Sequence, residues 1–154
     1  MRTRRTSILA AAAALSLTGL TAPLAVAQAP AAPAAPDAPS MQLKFFQTPS
    51  GNIRCVMYKS GGWGMRCDIY DHYWTAPPQP SCTEGDYGSS VGMKRKKKAR
   101  FICVSDAIDP GVVVPYGSSI TYGPFMCRSR SKGLRCWNEG GHGWFLSRES
   151  YQLY

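Results

Sequence analysis

Six of the seven residues from Lys94 to Arg100 are cations: Lys94, Arg95, Lys96, Lys97, Lys98 and Arg100, interrupted by Ala99. So dense a run of one sign repels itself into water and attracts polyanions such as wall polymers, anionic lipid headgroups or nucleic acid. A plain solvated loop leading into a strand at Phe101 would carry the same residues. The rest of the chain has the same sign. Of the 18 Lys and Arg, three lie in the first five residues, and residues 41–154 carry a formal charge of +7. The nearest carboxylates in sequence, Asp86 and Asp106, are too far along the chain to pair with the run automatically.

Two further residue types stand out. Trp63 lies between Gly62 and Gly64 and reads as an exposed contact residue at a hairpin tip. Trp137 and Trp144 read as core. His142 sits between Gly141 and Gly143, where backbone can approach closely; it reads as closing a tight turn in preference to catalysis. His72, within Asp71-His72-Tyr73-Trp74, has no partner legible in sequence.

Enzymatic constellations are hard to assemble. A thiol peptidase needs a free thiolate, and the cysteines read as paired. A Ser-His-Asp centre could use Ser105 or Ser147, yet no G-x-S-x-G elbow is present. Asp68 with Asp71, Glu84 with Asp86, and Asp106 with Asp109 are local, solvated pairs, unlike the opposed carboxylates of a glycosidase. Two histidines cannot form a three-histidine zinc site, and no cysteines have zinc-ligand spacing. No catalytic residue, metal or cofactor is therefore expected.

The cysteines indicate what positions these groups. Six of them, at 55, 67, 82, 103, 127 and 136, form an even set that reads as three disulfides in an oxidising compartment. In five cases an apolar residue stands two positions earlier: Ile53, Met65, Phe101, Phe125 and Leu134. Spacing of two puts both side chains on one face of a half-buried antiparallel strand, with Arg54, Arg66 and Arg135 on the other. Gly64-Met65-Arg66-Cys67 resembles Gly133-Leu134-Arg135-Cys136, and each follows another cysteine strand across a glycine-containing turn. Two hairpins follow, 52–58 with 64–70 and 125–130 with 134–137. Opposed cysteines in paired strands are within disulfide reach. Hence Cys55–Cys67 and Cys127–Cys136 are expected, leaving Cys82–Cys103. The fold expected is a small, all-β, disulfide-stabilised domain of antiparallel hairpins, any helix being confined to a last turn after Ser147.

Ahead of this domain, Arg2, Arg4 and Arg5, an apolar stretch from Ile8 to Leu20, and Ala25-Val26-Ala27 compose a secretory signal peptide over residues 1–27. Arg4-Arg5 hints at a twin-arginine signal, which the need to oxidise cysteines outside the cytosol outweighs. Residues 28–40 repeat proline every third position and read as an extended spacer, so the domain occupies 41–154.

Several segments together carry a family resemblance: Phe46-Gln47-Thr48-Pro49-Ser50-Gly51-Asn52-Ile53 before Cys55, Cys67-Asp68-Ile69, Phe101-Ile102-Cys103-Val104-Ser105-Asp106, Pro115-Tyr116-Gly117, Cys136-Trp137-Asn138, and Gly141-His142-Gly143-Trp144-Phe145-Leu146-Ser147-Arg148. The chain resembles an uncharacterised family of secreted actinobacterial domains with paired cysteines, from Phe46 to Tyr154. Arg54 and the basic run depart from that pattern. The resemblance implies fold and compartment and carries over no catalytic residue.

The function expected is a secreted, extracytoplasmic binding or inhibitor-like module. Its partner would be an anionic cell-envelope polymer, an anionic lipid or a secreted protein, engaged through Lys94–Lys98, Arg100, Trp63 and His142. The alternatives are a cell-wall-acting hydrolase centred on His142 and a purely structural envelope protein. No specific nucleic-acid recognition and no transmembrane segment after cleavage are expected, and the mature chain is expected to be a monomer.

Overall fold

The computed structural model describes residues 40–42 (backbone alone), 44–79, 82, 83 and 85–154. The leader expected at 1–27 and the spacer up to residue 39 lie outside them, as does Glu84. Among the described residues every regular element is a strand: β1 Ser40–Gln42, β2 Phe45–Gln47, β3 Ile53–Lys59, β4 Trp63–Ile69, β5 Ser90–Lys94, β6 Arg100–Phe101, β7 Val112–Val113, β8 Ser119–Tyr122, β9 Phe125–Arg130, β10 Gly133–Asn138, β11 Gly143–Leu146 and β12 Tyr151–Leu153. Among the described residues no helix is long and apolar enough to cross a membrane. The domain is all-β and stabilised by three disulfides.

Alternation is what builds the strands. Along β3 the even-spaced Ile53, Cys55 and Met57 are buried, and along β9 so are Phe125, Cys127 and Ser129. Residues that repeat every second position share a face, and here that face meets the core. The β3–β4 hairpin pairs Cys55 with Cys67, and the β9–β10 hairpin pairs Cys127 with Cys136, each directly across the ladder. The three expected disulfides are all present, and no cysteine is free. Gly61 and Gly62, at φ +61° and +114°, supply the left-handed backbone of the first turn.

The strands form two six-stranded sheets, ordered β6-β5-β4-β3-β2-β7 and β1-β8-β9-β10-β11-β12. Their inner faces share one apolar cluster. Cys127 Sγ lies 3.8 Å from Met65 Sδ, so the disulfides of one sheet pack on the side chains of the other.

The two sheets repeat one another beyond the Gly-x-Arg-Cys match. Across the first, Phe46, Cys55, Cys67, Val91 and Phe101 stand in register on successive strands. Across the second, Ile120, Cys127, Cys136, Trp144 and Leu153 do the same. Each half of the chain thus contributes a five-stranded antiparallel meander. Each half also sends its leading strand to the other half's sheet, where β1 pairs parallel with β8 and β7 pairs parallel with β2. Cys55, Cys67, Cys127 and Cys136 are fully buried at the two hairpin centres.

Two expectations are corrected. After Ser147 there is no helical turn. The amides of Glu149 and Ser150 donate to Ser147 Oγ at 3.2 and 3.0 Å, bending the chain sharply, and β12 then pairs with β11. A neighbouring strand edge outweighs local helix tendency here. Trp63 is not an exposed tip residue. It opens β4, is half-buried, and packs edge-on to Tyr122 with ring centroids 5.3 Å apart. Of the two tryptophans read as core, Trp144 is fully buried and Trp137 half-buried.

Candidate functional site: a cationic groove

The basic run is a hairpin connection between β5 and β6. Its turn is closed by Lys97 N–H donating to the Lys94 carbonyl at 3.3 Å, and Arg95 N–H reaches the Trp63 carbonyl at 3.3 Å. Ala99 turns inward and is buried, while the six cations remain exposed.

On the outer face of this sheet, Tyr58, Gly64 and Lys94 lie in one row and Val56, Arg66, Gly92 and Arg100 in the next. The two glycines shape what happens there. A Cβ on Gly64 would come within 2.4 Å of the Tyr58 ring, so the ring lies across β4 only because that position has no side chain. Gly92 lets Ile102 pack against the strand, since a Cβ there would meet Ile102 Cδ1 at 3.0 Å. The result is a groove of about 400 Å³ whose outward apolar side chains are Tyr58 and Ile102. Lys94, Lys97, Lys98 and Arg100 stand around it, and no carboxylate is among its lining residues. Lys94 Nζ lies 5.9 Å from the Tyr58 ring centroid. A Gly64→Ala substitution should swing the flexible Tyr58 side chain off β4 while changing stability by no more than about 1 kcal/mol. Its ring-proton shifts and a urea midpoint check both halves of that expectation.

Asn138, at the end of β10, fixes the run to the rest of the fold. It is 2% exposed. Its Nδ2 donates to the carbonyls of Lys94 and Lys97, both at 2.9 Å, and its Oδ1 accepts from Gly140 N–H at 2.9 Å and His142 N–H at 3.1 Å. The basic run and the glycine-rich turn around His142 are therefore neighbours joined through one side chain. The tight turn read from the glycines is present, but Asn138 closes it, and His142 enters through its backbone.

Glu139 sits beside this joint, 2.7 Å from Arg95 Nε and 3.6 Å from Lys96 Nζ. This overturns the expectation that the run has no acid within reach; the pairing partner comes from the turn after β10, distant in sequence. The hydrogen bond from Arg95 holds the Glu139 carboxyl below the ordinary range, against a smaller opposing effect of desolvation. Because the folded value is depressed, this tether is present above the usual glutamate titration and is released as pH falls through the folded value. The run is thereby divided: Arg95 and Lys96 are held by Glu139, while Lys94, Lys97, Lys98 and Arg100 are left to the groove.

Three further carboxylates, Asp68, Asp71 and Asp106, are engaged by arginines. Arg66 takes both oxygens of Asp68, at 2.8 and 2.7 Å, and Asp106 Oδ1 at 2.6 Å, while Ser90 Oγ donates to Asp68 at 2.7 Å. Asp68 is buried, contrary to its reading as solvated, because Arg66 and Ser90 satisfy it. Asp71 pairs with Arg148 at 3.2 Å. His72 stacks on Trp74 with centroids 3.9 Å apart, and its Nδ1 lies 2.8 Å from the Trp74 carbonyl oxygen. Trp63 does not line the groove, although its carbonyl helps hold the basic run. Among the described residues no cluster of His, Cys, Asp and Glu could hold a metal ion.

Fold and groove define a class: a small, disulfide-stapled, internally repeated β domain with a cation-rimmed apolar depression on one sheet. The chain belongs to the family of unknown function DUF6636, which it matches over residues 22–154. No curated protein and no solved structure matches it.

Proposed function

We propose that this protein is a secreted, extracytoplasmic binding module for an anionic component of the cell envelope, with Lys94, Lys97, Lys98 and Arg100 as its contacts. The leader-like arrangement of residues 1–27 and the three disulfides support the compartment. One observation carries the binding reading. Four cations surround a single groove with no acid in its lining, while Glu139, beside the run, is engaged by Arg95 and Lys96. Cations held close together without compensation raise the local concentration of anions and steer their approach.

Affinity for immobilised polyphosphate should then fall steeply with salt, because each neutralised phosphate releases counterions. Replacing Lys97 and Lys98 by Gln should flatten the slope of log affinity against log salt by about 1.5, with stability within about 0.5 kcal/mol of the parent. Replacing Arg128 and Lys132, on the other sheet, should leave the slope unchanged. Equal slopes for the parent and the Lys97/Lys98 variant would remove the proposal.

A further inference from the structure

The internal repeat supplies a reference for the groove within the same molecule. In register terms, Gly92 lies opposite Arg66 on one side and Arg100 on the other. The matching position in the second sheet is Phe145, which lies opposite Arg135 and Gln152. Gly133 matches Gly64, and there the Phe145 ring itself fills the space above the glycine, within 2.7 Å of where a Cβ would stand. The rim differs as well. Arg100 corresponds to Gln152, and Lys94, two residues beyond Gly92, corresponds to Ser147, two residues beyond Phe145. In both halves a ring covers the matched glycine, Tyr58 over Gly64 and Phe145 over Gly133, but the second half carries Arg130, Phe145 and Gln152 where the first has Tyr58, Gly92 and Arg100.

What sets the first half apart is the surface beside Gly92, where four cations adjoin Tyr58 and Ile102 with no carboxylate in the lining. A bare polyanion would use the rim and leave Tyr58 and Ile102 without a role. A volume of about 400 Å³ is in the size range of small-ligand pockets. We infer that the groove takes an anionic amphiphile, its phosphate or carboxylate headgroup held by Lys94, Lys97, Lys98 and Arg100 and its aliphatic chain laid against Tyr58 and Ile102. This rests on the anion-binding reading and specifies its occupant.

The test titrates the 41–154 domain, joined to its natural spacer, with octyl, decyl and dodecyl phosphate below their micelle concentrations. Inorganic phosphate and dodecyl maltoside serve as head-only and tail-only controls. Affinity should rise along the alkyl series by up to about fourfold for each methylene removed from water, and both controls should bind far more weakly. Gly92→Phe, which puts a phenyl ring where the other half carries Phe145, should weaken dodecyl phosphate about tenfold or more. If that variant does not fold, the alkyl series on the parent protein decides. A flat series, or dodecyl phosphate binding no tighter than inorganic phosphate, overturns the inference while polyphosphate binding still supports the anion reading. Loss of polyphosphate binding in the parent removes both.

Discussion

Asn138→Ala should destabilise the domain by about 2–4 kcal/mol, more than removal of any cation of the run. The side chain satisfies four backbone groups at once: the carbonyls of Lys94 and Lys97, and the amides of Gly140 and His142. Each buried group left without a partner costs about 1–3 kcal/mol, reduced where water can enter. Lys97 and Gly140 are exposed enough for water to reach part of the joint, which keeps the total below the sum. Asn138→Asp should be at least as damaging, since a carboxylate would face two carbonyl oxygens with no proton to offer. Anion affinity should fall in both variants although no cation has been lost, because the run is no longer held over the groove. Urea midpoints, together with faster hydrogen exchange at the Gly140 and His142 amides, report the two effects separately. A loss below about 0.5 kcal/mol would mean that the joint is not built as described.

The second large effect belongs to the buried disulfides. Replacing Cys127 and Cys136 together by Ala should cost about 2–5 kcal/mol, through the freedom regained by the unfolded chain and the packing lost opposite Met65. The same holds for Cys55 and Cys67, which occupy the matching place in the other sheet. Under mild reductant, Cys82–Cys103 should open first, since both its residues are partly exposed whereas the other four cysteines are fully buried. Alkylation of native protein followed by mass spectrometry gives the order. Early labelling of Cys127 or Cys136 would contradict it.

Much of the fold was legible because its signal is local. An apolar residue two positions before a cysteine is a period-two pattern, and with a glycine turn it specifies both hairpins and the opposition of their cysteines without reference to the rest of the chain. The Gly-x-Arg-Cys match was the visible part of a repeat that continues through ten strands. What stayed illegible depends on distant pairing. Nothing near Val112-Val113 says that these residues join β2, or that Ser40–Gln42 joins β8. Short edge strands carry too few residues for a pattern, and parallel pairing leaves no turn to mark it.

The site divides along the same line. The cations were plain, but which of them face the groove depends on Glu139, 44 residues from Arg95. Tyr58, Gly92 and Ile102 gave no individual signal, because an outward glycine matters only through what lies across the neighbouring strands. Trp63 was misread as exposed: flanking glycines suggested a tip, whereas the strand already includes it and Tyr122 covers its edge. His142 was read with the right turn and without the residue that holds it.

The central claim is that anions meet this protein at the groove, and a polyphosphate titration followed by amide chemical shifts tests it most directly. The account predicts that the backbone amides of Gly92, Lys94, Lys97, Lys98 and Ile102 move first and saturate together, in a manner that rising salt suppresses. Shifts centred instead on Arg128, Arg130 and Lys132, or spread evenly over every exposed cation, would contradict it.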